Sequence, residues 1–92
     1  MFAVVVRVEL PEGGSVEQGR EMLEKNVIPA VRQSPGFVAG YWLAPPTGRE
    51  GLSVLIYEDE QSARTVADSL QPPPPVTLLG VEVREVTASA TA

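Results

Sequence analysis

Proline and glycine cut this chain into segments that are each long enough for one strand or one helix. The breaks fall at Pro11 with Gly13-Gly14, at Pro35-Gly36, at Pro45-Pro46-Thr47-Gly48 and at Pro72 to Pro75. Proline has no amide proton to donate and glycine takes turn conformations readily, so such clusters end regular structure. The first segment, residues 2–10, alternates. Phe2, Val4, Val6, Val8 and Leu10 fall on one side, and Ala3, Val5, Arg7 and Glu9 on the other. Period two with this many β-branched residues predicts a strand.

Ser15 and Gln18 have the spacing of a capping box. Beyond them Val16, Leu23, Val27, Ala30 and Val31 recur at helical spacing among charged residues. The pattern predicts an amphipathic helix of about four turns, kinked or reopened as a short second segment by Pro29. Phe37 to Ala44, with Tyr41 and Trp42, reads as a second strand, and Leu52 to Glu58 as a third, the two forming a hairpin. Asp59 is placed to cap a second helix. In it Ala63, Val66, Ala67 and Leu70 stand at i, i+3, i+4 and i+7. The four prolines then read as a stiff extended connector. Val76 to Val86 is a fourth strand, with Val81, Val83 and Glu85 opposed to Glu82, Arg84 and Val86, and residues 87–92 form a small tail expected to fray.

The order β-α-β-β-α-β over residues 1–92 defines one domain of the α+β class with a ferredoxin-like motif. Right-handed crossovers place both helices on one face of a four-stranded antiparallel sheet. The other face then needs a cover. Strands two and three are apolar on both sides, with Val38, Trp42 and Ala44 against Phe37, Tyr41 and Leu43, and Leu52, Val54 and Ile56 against Leu55 and Tyr57. Such a face, on the order of several hundred Å2, is a sticky patch. A homodimer through the sheet face is the simplest cover.

Ser34-Pro35-Gly36-Phe37-Val38 after a helix, the hairpin, and Tyr57-Glu58-Asp59-Glu60 leading to a helix with Ala63 resemble the antibiotic biosynthesis monooxygenase-like family of the dimeric α+β barrel superfamily. The resemblance runs over nearly the whole chain and implies a dimeric α+β barrel. Several such barrels oxidise polycyclic aromatic phenols with molecular oxygen and no cofactor. It also implies pocket Trp and Arg side chains, for which this chain offers Trp42, Arg7 and Arg84. Members that break down haem use a histidine ligand, which this chain lacks, and the only asparagine, Asn26, lies in the first helix.

Composition narrows the chemistry. Without histidine or cysteine there is no His- or Cys-based nucleophile system, no histidine or thiolate metal site and no disulfide. Catalysis, if any, falls to carboxylates, Arg, Lys25, Tyr, Ser, Thr or the substrate's own reactivity. A net charge of −5 with scattered arginines argues against a nucleic-acid partner. The apolar run at the N-terminus is too short for a signal peptide or a membrane span, so a cytoplasmic protein is expected.

The candidate ligand-pocket residues are Arg7, Tyr41, Trp42, Tyr57, Glu82 and Arg84, with no metal and no cofactor. Of Tyr41 and Trp42, one must face the helices. Opposite charges would meet across the first and fourth strands if Arg7 faces Glu82 or Glu9 faces Arg84. Packing is expected to fill the helix side through Leu23, Val27, Val66 and Leu70, which puts the ligand on the opposite face near Trp42, Arg7 and Arg84. Two readings follow. One is a non-catalytic small-molecule-binding or accessory homodimer. The other is a cofactor-independent monooxygenase-like enzyme acting on aromatic, polyketide-type substrates.

Overall fold

A computed structural model describes residues 1–92, and its elements follow in the expected order. They are β1 (Phe2–Glu9), α1 (Val16–Met22), a π-helical turn (Leu23–Val27), α2 (Ile28–Arg32), β2 (Phe37–Leu43), β3 (Glu50–Tyr57), α3 (Glu60–Ser69) and β4 (Thr77–Glu85). The four strands form one sheet in the order β2-β3-β1-β4, every neighbouring pair antiparallel. This is the ferredoxin-like α+β arrangement.

Each helix starts where its cap dictates. The Ser15 side chain accepts from the Gln18 amide at 3.1 Å, and the Gln18 side chain accepts from the Ser15 amide at 3.2 Å. Asp59 accepts from the Ser62 amide at 2.8 Å and opens α3. These bonds satisfy amides that have no partner inside the helix. Pro29 acts upstream of itself. It cannot donate to the carbonyl four residues back, and the preceding turn widens so that the Ile28 amide reaches back five residues to Leu23. Pro29 then stands at the beginning of α2, where a missing donor is tolerated.

The core lies between the sheet and α3. Val4 and Val6 of β1, Leu55 and Tyr57 of β3 and Ala63 of α3 are buried together. Val66, Ala67 and Leu70 pack around them, as do Val81 and Val83 of β4. The first helical stretch contributes less than its periodicity suggests. None of its residues is buried, and only Val31 packs against the core cluster. Leu23 and Val27, expected to fill the helix side, do not reach that cluster.

Beside the core, Phe37 and Tyr57 meet edge-on with ring centroids 5.7 Å apart, and the Tyr57 hydroxyl lies 2.8 Å from Ser34 Oγ. Two register shifts alter which side chains share a face. One lies between Phe37 and Ala39 of β2, and the other between β1 and β4 beside Arg7 and Val8. The extra residue at Val38 breaks strict alternation. Phe37 therefore joins Trp42 on the helix side, opposite Tyr57 and Ser53, while Tyr41 and Leu43 face away, opposite Val54 and Leu52.

Candidate functional site

The sheet face turned away from the helices is a grid set by the strand register. Reading from β2 across β3 and β1 to β4, one row is Ala39, Ile56, Ala3 and Arg84. The next is Tyr41, Val54, Val5 and Glu82, and the third is Leu43, Leu52, Arg7 and Gly80. The apolar part spans β2, β3 and half of β1, and charges fringe it along β4 and at the Glu9–Glu50 end. Tyr41 is 59 % exposed at the edge of the apolar part.

The charged fringe does not pair as the sequence suggested. Arg7 lies across from Gly80 and Glu82 across from Val5, so neither expected cross-strand pair forms. The Arg7 guanidinium instead reaches Glu50 at 3.8 Å and lies over Gly80, where a β-carbon would come within 3.0 Å of it. Arg84 pairs with Glu82 two residues away on the same strand face. Arg49 joins Glu9 at 3.5 Å and the Leu10 carbonyl at 2.9 Å. Arg7 and Glu82 lie two residues apart in the regular register of β1 with β4, which runs unbroken from Phe2 to Arg7. All these pairs are solvated, and such pairs contribute about 0–1 kcal/mol each.

On the helix side a cleft of about 300 Å3 opens between the first helical stretch and α3. Val27, Val31, Val66 and Leu70 give it apolar walls, and Asn26, Ser34, Ser69 and Gln71 supply polar groups. No charged side chain lines it. Two of the residues, Asn26 and Val27, belong to the π-helical turn, a feature often found at functional sites. Tyr57 forms part of the wall, closed to solvent. The expectation of a filled helix side is corrected in part: Val66 and Leu70 pack on the core, but no residue of the first stretch is fully buried and room remains beside α3.

A second hollow of similar volume surrounds the start of α3 at Asp59 and Ser62. Asp59 is committed there as a helix cap. The Ser62 amide, then the Ser62 side chain, hold its carboxyl below the ordinary aspartate value. Nowhere do three acidic side chains converge as a metal site would require.

The six sequence-derived candidates therefore do not form one site. Arg7, Tyr41, Glu82 and Arg84 share the helix-distal face. Trp42 is on the helix side, half-buried over Gly40, and Tyr57 is buried behind the cleft with its hydroxyl bonded to Ser34. Trp42 cannot stack on a ligand beside Arg7 and Arg84, because the sheet separates them. The sequence reading passed over Asn26, Ser34, Ser69 and Gln71. Their only signal was polarity at positions flanking the helical stripes, which surface residues share.

No protein-family model matches the sequence, and no curated protein matches it. Among solved structures, the fold resembles the heme-degrader MhuD from Mycobacterium tuberculosis, in a structure with two hemes bound in its active site. The TM-score is 0.69 at 19% identity, over 99% of this chain and 100% of that one. A mutant of MhuD with two manganese protoporphyrin IX bound per active site matches at a TM-score of 0.65 and 19% identity, over 100% of both chains. Likeness at this identity establishes the ferredoxin-like fold.

Proposed function

We propose that this chain is a small-molecule-binding homodimer of the dimeric α+β barrel type, binding its ligand in the cleft between the first helical stretch and α3. The observation that carries this reading is the cleft: about 300 Å3, apolar walls, a few polar groups and no charge. That volume is at the small end of ligand sites, and the cleft is a groove open to solvent, with Asn26, Ala30, Ser69 and Gln71 exposed along it. A second copy packed on the apolar helix-distal face removes Tyr41, Leu43, Val54 and Ile56 from water and leaves the cleft free. Binding is the role assigned, with no catalysis.

The bound tetrapyrroles of the fold neighbours give a reason to test flat aromatic compounds. Haem itself does not suit the residues present. Iron is held by His, Cys, Met or Tyr side chains. This chain has no His or Cys, neither Met lines the cleft, and Tyr57 beside it is buried with its hydroxyl engaged by Ser34. A second reading, favoured by the likeness to a heme-degrader, is a cofactor-independent monooxygenase acting on aromatic, polyketide-type substrates.

Calorimetry with hydroxylated polycyclic aromatics, run beside an oxygen electrode, tests both. Saturable binding without oxygen uptake supports the binding role. Oxygen uptake stoichiometric with substrate loss selects the enzyme. Absence of binding leaves the accessory-homodimer role as the better reading.

A further inference from the structure

The two walls of the cleft are held unequally. α3 is fixed: Ala63 is buried, and Val66, Ala67 and Leu70 pack on the core. From the first helical stretch Val31 alone reaches that cluster. Met22, Leu23, Val27 and Ile28 stay half-buried, and Val16 is exposed. No hydrogen bond or ion pair joins residues 12–33 to the sheet or to α3. The side-chain bonds of the stretch, Ser15 with Gln18 and Lys25 with Glu21, are internal to it. Its two ends differ as well. The C-terminal end is tied down, with Ser34 Oγ 2.8 Å from the Tyr57 hydroxyl and the Gly36 carbonyl accepting from the Glu58 amide at 2.8 Å. The N-terminal end hangs on Pro11-Glu12-Gly13-Gly14. Gly13 has a φ of +78, and nothing stands within 4 Å of where a β-carbon would be. A loop in open space changes its path without losing contacts.

We propose that residues 16–32 form a hinged cover for the cleft, pivoting at residues 34–36 and swinging at the glycine end, and that a ligand in the cleft draws the cover closed. The proposal rests on the binding role of the cleft and specifies how that site is regulated. The stretch is helical from end to end, so its backbone bonds are internal and survive the swing. Little opposes the motion beyond the core contact of one valine and the partial burial of four other side chains. A ligand touching Val27 and Val31 on one wall and Val66 and Leu70 on the other removes more apolar surface from water when the walls approach. It therefore binds the closed form better, and that difference in affinity shifts the population toward closure.

The test measures distances between spin labels on the full chain, which has no cysteine of its own to mislabel. One pair is Glu17→Cys with Asp68→Cys, both exposed, on α1 and α3. The control pair is Arg32→Cys with Asp68→Cys, beside the pivot. Excess unlabelled chain keeps the distances within one protomer. Residue 17 is roughly 20 Å farther from the pivot than residue 32 by helix rise, so a swing widens its distribution severalfold relative to the control. Naphthol, with its binding followed by calorimetry, should narrow the first distribution and leave the control unchanged. Val31→Ala removes the one core contact and should raise the ligand-free open-to-closed ratio about three- to tenfold, the transfer worth of two half-buried methyl groups. A ligand-free distribution as narrow as the control's overturns the cover, and so does a broad one that bound naphthol leaves broad. If naphthol does not bind, the binding role fails on its own, and the ligand-free distribution alone decides whether the stretch swings.

Discussion

The indole of Trp42 lies over Gly40 on the helix-facing side of β2, so close that a β-carbon at Gly40 would sit 2.9 Å from the ring and 3.2 Å from Leu55. The glycine leaves a hollow in the sheet surface, and the indole fills it. Trp42 is therefore a packing residue of the half-covered edge strand, two residues from a neighbour it overlies. Its ring is rigid, so it cannot yield as a flexible chain end would.

Gly40→Ala should displace the indole or strain the strand, lowering stability by about 1–3 kcal/mol, the usual cost of overpacking. Trp42 is the only tryptophan, so a red shift of native-state fluorescence would report its exposure directly. Denaturant unfolding supplies the energy. Unchanged fluorescence together with unchanged stability would show that the ring does not depend on this hollow.

Gly36 meets two demands at once. Its φ of +79 lies in the left-handed region, and a β-carbon there would come within 2.6 Å of Ser62 Oγ. Its carbonyl also accepts from the Glu58 amide at 2.8 Å, so the turn after α2 and the start of α3 are clamped together. Gly36→Ala should cost about 1–2 kcal/mol for the backbone conformation alone and more for the clash. Adding Ser62→Gly should recover the steric part and leave the conformational part, a split that chemical denaturation of the two variants measures. Full recovery would mean that the left-handed backbone is not a constraint here.

Element order was legible in the sequence because each boundary had a local chemical cause. The capping box at Ser15, the cap at Asp59 and the Pro35-Gly36 stop act within a few residues, and pattern reading sees that range. The faces of β2 were not legible. One extra residue at Val38 moves Phe37 to the helix face with Gly40 and Trp42, and nothing in Phe37 to Leu43 marks it; it follows from pairing with β3. The same holds for Arg7, whose partner depends on the register of β1 against β4, which no local residue marks. The cleft was hidden for a third reason. The apolar stripe of the first helix predicts a buried face, yet how much is buried depends on the wide turn before Pro29 and the resulting path of the helix, which are properties of the assembled fold.

Asp59 gives the stability a defined acid dependence. Hydrogen bonds from the Ser62 amide, then from its side chain, hold its carboxyl below the ordinary aspartate value. A depressed folded-state value means the charged cap stabilises fully above the unfolded value, near pH 4. That contribution is lost as pH falls through the folded value. Asp59→Ala should therefore melt below the parent protein at neutral pH, and the gap should close below about pH 4. Thermal melts of both proteins across that range check the sign. A gap that widens on acidification would contradict the capping role.

The helix-distal face makes the proposed dimer testable without touching the cleft. Tyr41 and Val54 face each other across β2 and β3 in the middle of the apolar grid, flanked by Ile56, Leu43 and Leu52. In a two-fold interface the same patch occurs twice, so one substitution introduces two changes. Val54→Glu places a carboxylate where the partner sheet would offer only apolar side chains, and burying an unpaired charge there is strongly unfavourable. Light scattering at micromolar concentration should give twice 9.8 kDa for the parent chain and a mass near 9.8 kDa for the variant. Circular dichroism should stay nearly unchanged if the monomer remains folded, because the side chain points away from α3 and the core. Arg7→Ala serves as the control at the fringe of the same face. It removes only a solvated pair with Glu50 and should leave the mass at the dimer value. A parent chain that scatters as a monomer, or a Val54→Glu variant that remains dimeric, would show that this face is not where two copies meet.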